Sequence, residues 1–90
     1  MLTVHSWGSG HGKVVQHVET NGTENVTPNS NVFASVCEVD PIDRRTRIIG
    51  DAALFVCGVA PGPKYVDVWV QVDWPSDLAF ELTILIADDV

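Results

Sequence analysis

From residue 54 to residue 86, apolar side chains or glycine fall on alternate positions. They are Leu54, Val56 and Gly58, then Val66, Val68, Val70 and Val72, then Phe80, Leu82, Ile84 and Ile86. A period of two belongs to the β-strand, whose successive side chains leave opposite faces. A helix would repeat its apolar stripe every three to four residues. Turn formers interrupt the rhythm at Pro61-Gly62-Pro63 and Pro75-Ser76-Asp77, spaced as strand ends are in sandwiches and small barrels. The pattern predicts strands over 2–7, 13–20, 32–39, 44–49, 52–60, 64–74 and 78–88. The stretches 8–12 and 21–31 read as loops. Asp40-Pro41-Ile42-Asp43 reads as a turn, and Gly50-Asp51 as a bulge or corner. No repeat or linker divides the chain. The expectation is one all-β domain over 1–90, a small antiparallel β-sandwich of six to eight short strands, jelly-roll-like or Greek-key.

The last three strands can be set in register as successive hairpins. With Ala60 facing Lys64, Leu54 falls opposite Val70, Val56 opposite Val68 and Gly58 opposite Val66. With Trp74 facing Leu78, Val72 falls opposite Phe80, Val70 opposite Leu82, Val68 opposite Ile84 and Val66 opposite Ile86. The even face is then the core, and a slip of one residue would turn the whole set outward. Leu2, Val4, Val14, Val18 and the 32–39 strand are expected to supply the facing sheet.

The odd positions carry the functional signal. They hold Phe55, Cys57 and Val59, then Tyr65, Asp67, Trp69, Gln71 and Asp73, then Ala79, Glu81, Thr83, Leu85 and Ala87. The hairpin register sets Phe55 opposite Trp69 and Val59 opposite Tyr65. An outward sheet face is normally polar, whereas this one is apolar at its centre and acidic toward one end. Contact with a partner, through Trp69, Phe55, Tyr65, Asp67, Gln71, Asp73 and Leu85, is the expected use. Cover by residues 1–12 or 40–50 is the alternative.

Composition narrows the classes. Of 90 residues 46% are apolar, so the chain is not disordered, and no apolar run is long enough to span a membrane as a helix. Twelve acidic residues against five basic ones give a net charge of −7, which a nucleic-acid backbone would repel. Residues 1–20 lack the apolar stretch of an export signal. The cytoplasm, or a particle such as a virion, is therefore the expected setting. Cys37 and Cys57 each sit in an apolar run and are expected to be buried thiols, with a mutual disulfide as the lesser alternative. The sequons at Asn21 and Asn25 are expected by chance in an Asn/Thr-rich loop.

Catalytic chemistry finds no set of residues. Gly8-Ser9-Gly10-His11-Gly12-Lys13 has Trp7 where a phosphate loop starts with glycine and Val14 where it ends with Ser or Thr. Ser9 has Trp7 and His11 at the two positions where a nucleophile elbow needs glycine. Asp67 and Asp73 are six residues apart on one strand, about 20 Å, too far for paired glycosidase carboxylates. His5, His11 and His17 recur every six residues. A hairpin centred on His11 would set His5 opposite His17, where they and Glu19 could share zinc or nickel. Ordinary surface histidines are the simpler reading. Asp88, Asp89 and the Val90 carboxylate form a solvated acidic tail in preference to a calcium site. Arg44, Arg45 and Arg47 are expected to pair with Asp40 and Asp43 within their hairpin, or to dock an acidic patch of a neighbouring subunit. No cofactor and no metal is expected.

These residues lead to a non-enzymatic structural or assembly protein, which forms a homo-oligomer or decorates a larger particle such as a phage or virus capsid. The alternative is a carbohydrate-binding module, with Trp69 as a stacking platform beside Asp67, Gln71 and Asp73.

Overall fold

The computed structural model describes residues 2–20 and 26–87. These form six strands, β1 (Leu2–Gly10), β2 (Gly12–Glu19), β3 (Val32–Glu38), β4 (Ala53–Gly62), β5 (Tyr65–Asp73) and β6 (Leu78–Ile86). Two three-stranded sheets face each other, in the orders β1-β6-β3 and β2-β5-β4, and every pairing is antiparallel. The chain is wound like one long hairpin, β1 against β6 and β2 against β5, rolled up so that β6 also meets β3 and β5 also meets β4. That is the wrapping of a jelly roll, with six strands in place of eight. No helix among the described residues is long and apolar enough to cross a membrane.

The even-face reading holds where it matters most. Val66, Val68, Val70, Phe80, Leu82 and Ile84 are fully shielded because β5 and β6 are the central strands of their sheets. The inward residues of the edge strands, among them Leu2, Val4, Val14, Val36 and Leu54, pack against that core and stay partly exposed. Val68 is buried while Asp67 is not, as the alternation requires.

The strand partners differ from the hairpin register. β5 and β6 do not pair. Residues 74–77 carry the chain from one sheet to the other, and β6 instead lies between β1 and β3. Val14 and Val18 accordingly belong to the sheet of β5 and not to the facing one. In β4·β5 the partners are Leu54↔Val72 and Val56↔Val70, with Gly62↔Tyr65 closing the hairpin. The turn is therefore Pro63-Lys64, not Pro61-Gly62-Pro63. Proline followed by a residue of positive φ, here Lys64 at 62°, is the signature of a type II turn. Pro61 is accepted inside β4 because that strand lies at a sheet edge. Gly62 must stay small, since a Cβ there would lie 2.0 Å from the Tyr65 ring.

β4 also carries a bulge at Cys57, between the pairs Val56↔Val70 and Gly58↔Trp69. One extra residue shifts the parity. Val59 turns toward the core, and Cys57 stands exposed, not buried. Both cysteines are free thiols.

Residues 44–49 are not a strand. One isolated bridge, Val39↔Arg47, remains there. The Asp40 carboxylate accepts the Ile42 amide at 2.7 Å, and the Asp43 carboxylate accepts the amides of Arg45 at 2.8 Å and Thr46 at 3.0 Å. Aspartates that satisfy nearby amides hold a chain in turns and away from a ladder. The expected loop at 8–12 shrinks to His11, with Gly12 at φ 66° making the reversal between sheets. The sequons at Asn21 and Asn25 and the acidic tail 88–90 lie outside the described residues.

Candidate functional site

Two outer faces replace the single odd face of the hairpin register. On β2-β5-β4 the residues stand in rows across the sheet. The central row is Val15, Trp69 and Gly58, the row on one side is Lys13, Gln71 and Phe55, and the row on the other is His17, Asp67 and Ala60. Val15 is 58% exposed, Phe55 53% and Trp69 38%, so the centre of this face is a bare apolar patch. The bulge helps to form it, because it sets a glycine beside the indole where a side chain would otherwise stand. Phe55 lies opposite Gln71 and diagonal to Trp69, not opposite it. Val59 pairs with Val68 and faces inward, so it does not stand beside Tyr65.

Polar groups frame the patch. The Lys13 ammonium lies over the Trp69 ring, 4.5 Å from its centre, a cation–π contact. His17 Nδ1 meets the Asp67 carboxylate at 2.5 Å, and the His17 ring lies 4.7 Å from the Tyr65 ring, tilted 37° to it. Asp73 continues the same face beside Ala53. The structure thus brings Trp69, Phe55, Tyr65, Asp67, Gln71 and Asp73 to one side. Leu85 is on the other side of the molecule, paired with Thr3 and Phe33.

The face of β1-β6-β3 is partly covered by residues 40–50. Glu81 is a buried carboxylate, 7% exposed, and Arg47 Nε donates to it at 2.6 Å. That hydrogen bond raises the Arg47 pKa above its ordinary value, with the Glu81 charge adding to it. Arg45 stands 5.6 Å from the centre of the Trp7 ring. Arg47 and Arg45 thus reach the sheet below them, while the Asp40 and Asp43 carboxylates accept the turn's own amides. Cover by the 40–50 segment is realised on this face alone.

His5 lies 3.3 Å from Glu81 and 3.5 Å from the Thr83 hydroxyl, both through Nδ1. A hydroxyl–imidazole–carboxylate relay needs the two partners on different ring nitrogens, so these three do not form one. His5 and His17 occupy the outer faces of opposite sheets and do not face each other. His11 meets Asp77 at 2.6 Å at the end of the sandwich. Among the described residues no three His, Cys, Asp or Glu side chains come together in a metal-binding group.

Sequence reasoning missed Val15 and Lys13, because β2 was placed in the facing sheet. It also missed the buried Glu81. For Val15 the available signal was two adjacent valines, one for each face. Comparison with protein-family models, with curated proteins and with solved structures finds no match to this chain.

Proposed function

We propose that this chain is a non-enzymatic assembly subunit that associates with further copies of itself through the outer face of β2-β5-β4. One observation carries the reading. Val15, Trp69 and Phe55 are 58%, 38% and 53% exposed and contiguous at the middle of a sheet face, where a solitary sandwich places polar side chains. A second copy suits the patch. Lys13 stands on β2 and Asp73 on β5, so a two-fold related face offers opposite charges around an apolar centre.

Size sets the strength. Three strands at about 4.8 Å spacing and some 30 Å of length cover roughly 450 Å² of sheet plane, below the roughly 800 Å² per partner of a standard interface. Association is therefore weak, and the net charge of −7 on each copy opposes it at low salt. The test is sedimentation equilibrium over a concentration series from micromolar to millimolar, at low and high salt. The expected result is a mass above 9.8 kDa that grows with concentration and with salt. A single 9.8 kDa species throughout refutes the proposal. For the carbohydrate alternative, the Trp69 face carries Lys13 and the Asp67 carboxylate is engaged by His17, so a sugar would have to displace both.

A further inference from the structure

The turn 40–47 and the Ser9 end of β1 enclose a small cavity on the opposite sheet, away from the assembly face. It holds about 240 Å³ and is lined by Trp7, Ser9 and Arg44 over a floor of Val39, Ala79 and Phe80. A second hollow of about 320 Å³ adjoins it and shares Trp7 and Arg44, with Asp43 and Arg45 completing its wall.

Charge is concentrated here. Of the five lysines and arginines in a chain of net charge −7, three lie within residues 44–47. Arg47 is neutralised by Glu81, and Arg45 rests against the Trp7 ring. Arg44 forms no ion pair among the described residues, yet it borders both hollows. Its φ is 61°, a region that residues with a Cβ enter uncommonly and that collects at binding sites. The turn holds it there through the Arg44 amide, which donates to the Asp40 carbonyl at 2.8 Å, and through the hydrogen bonds of Asp43. No acidic side chain lines the first cavity. In the second, the Asp43 carboxylate takes three donors from Arg45 and Thr46.

We propose that the Trp7–Arg44 cavity binds a small monocarboxylate with a planar body. The carboxylate pairs with the Arg44 guanidinium, whose fork matches its two oxygens. The body stacks on the indole of Trp7, which is 46% exposed. A dianion is disfavoured by the nearby Asp43 and by the overall charge. The volume admits a ligand of roughly ten heavy atoms, and at the efficiencies usual for such fragments the affinity is millimolar.

Benzoate, benzamide and a tetra-aspartate peptide are the probes, each titrated while the indole N–H signals of Trp7, Trp69 and Trp74 are followed by NMR. Benzoate is expected to move the Trp7 signal saturably with a millimolar Kd, and neutral benzamide to bind at least tenfold more weakly. Arg44→Gly is expected to weaken benzoate at least tenfold without lowering the melting temperature, since glycine accepts the positive φ without strain. Should that variant melt early, Arg44→Lys at the same backbone is the second test, with the same loss of the paired fork expected. Equal binding of benzamide, unchanged affinity in both Arg44 variants, or shifts spread equally over the three tryptophans would overturn the assignment. Tighter binding of the peptide than of benzoate would also overturn it, in favour of an acidic protein partner.

Discussion

Replacing Trp69 by alanine separates an interface from a second core. Trp69 is 38% exposed. A tryptophan offers about 250 Å² in all, so roughly 95 Å² remains to be covered by a partner. At about 25 cal/mol per Å² that burial stabilises an assembly by about 2 kcal/mol for each Trp69 involved. In a two-fold dimer both copies lose it, about 4 kcal/mol in all, which corresponds to roughly a thousandfold rise in Kd. Within the monomer the substitution removes the cation–π contact with Lys13, about 0.5–1 kcal/mol at an exposed site. It also removes one cross-strand packing row, up to about 1 kcal/mol. A domain of 90 residues has about 5–13 kcal/mol of stability, so the fold survives. The assay is thermal unfolding by circular dichroism together with sedimentation equilibrium. Trp69→Ala is expected to melt cooperatively a few degrees below the parent and to sediment as smaller species. A variant that fails to fold would show that the outer face is a second core. A variant that folds and assembles with unchanged Kd would refute the interface. If assembly persists while retention on a glycan array falls, the carbohydrate alternative takes its place.

Two further outcomes are expected. Val68→Asp should prevent cooperative folding, because Val68 is fully shielded in the central strand and the new carboxylate would have no partner there; a native-like melting curve would refute the assigned core. The Asp43 carboxyl is lowered from 3.8 to about 2, chiefly by the Arg45 amide and then by the Thr46 hydroxyl and amide. A folded pKa below the unfolded one means that its support of the turn is complete above about pH 4 and is lost as the pH falls through about 2. The amide shifts of Arg45 and Thr46 should titrate with that midpoint and cease to do so in Asp43→Asn, whereas a midpoint near 4 would show that these hydrogen bonds do not form.

What was legible in the residues follows from what is local. Alternation is a property of single-strand geometry, so Val66 to Val72 and Phe80 to Ile86 could be assigned to the core from sequence alone. Trp69 and Phe55 could be assigned to an outer face for the same reason. Strand partners are not local. Pro75-Ser76-Asp77 serves equally to fold β6 back beside β5 or to send it across the core, and no residue in the link distinguishes the two. The choice is made by what the distant ends of the chain bring. β1 and β3 each present an inward apolar row, Leu2 with Val4 and Val32 with Val36, and β6 pairs with both. That placement moved Leu85 and Glu81 away from Trp69. Gly58 held a signal that could have been used, since a glycine inside a strand pattern marks a bulge.

The two outer faces solve one problem in different ways. Each sheet has three strands, and each carries a tryptophan outward, Trp7 on one and Trp69 on the other. Over Trp7 the chain folds its own 40–47 turn, with Arg45 on the ring and Arg47 on Glu81 beneath it. Over Trp69 it sets Lys13 alone, and Val15 and Phe55 stay bare on either side. An apolar surface left uncovered costs free energy in water in proportion to its area, and on the opposite sheet this chain covers one with a charged turn. That cover is partial, since Trp7 stays 46% and Phe33 61% exposed, but the turn's charges stand over it, whereas on β2-β5-β4 no segment of the described chain lies over Val15, Trp69 and Phe55. Assembly and ligand binding are assigned to opposite sheets, so Trp69→Ala should leave benzoate binding intact and Arg44→Gly should leave sedimentation unchanged.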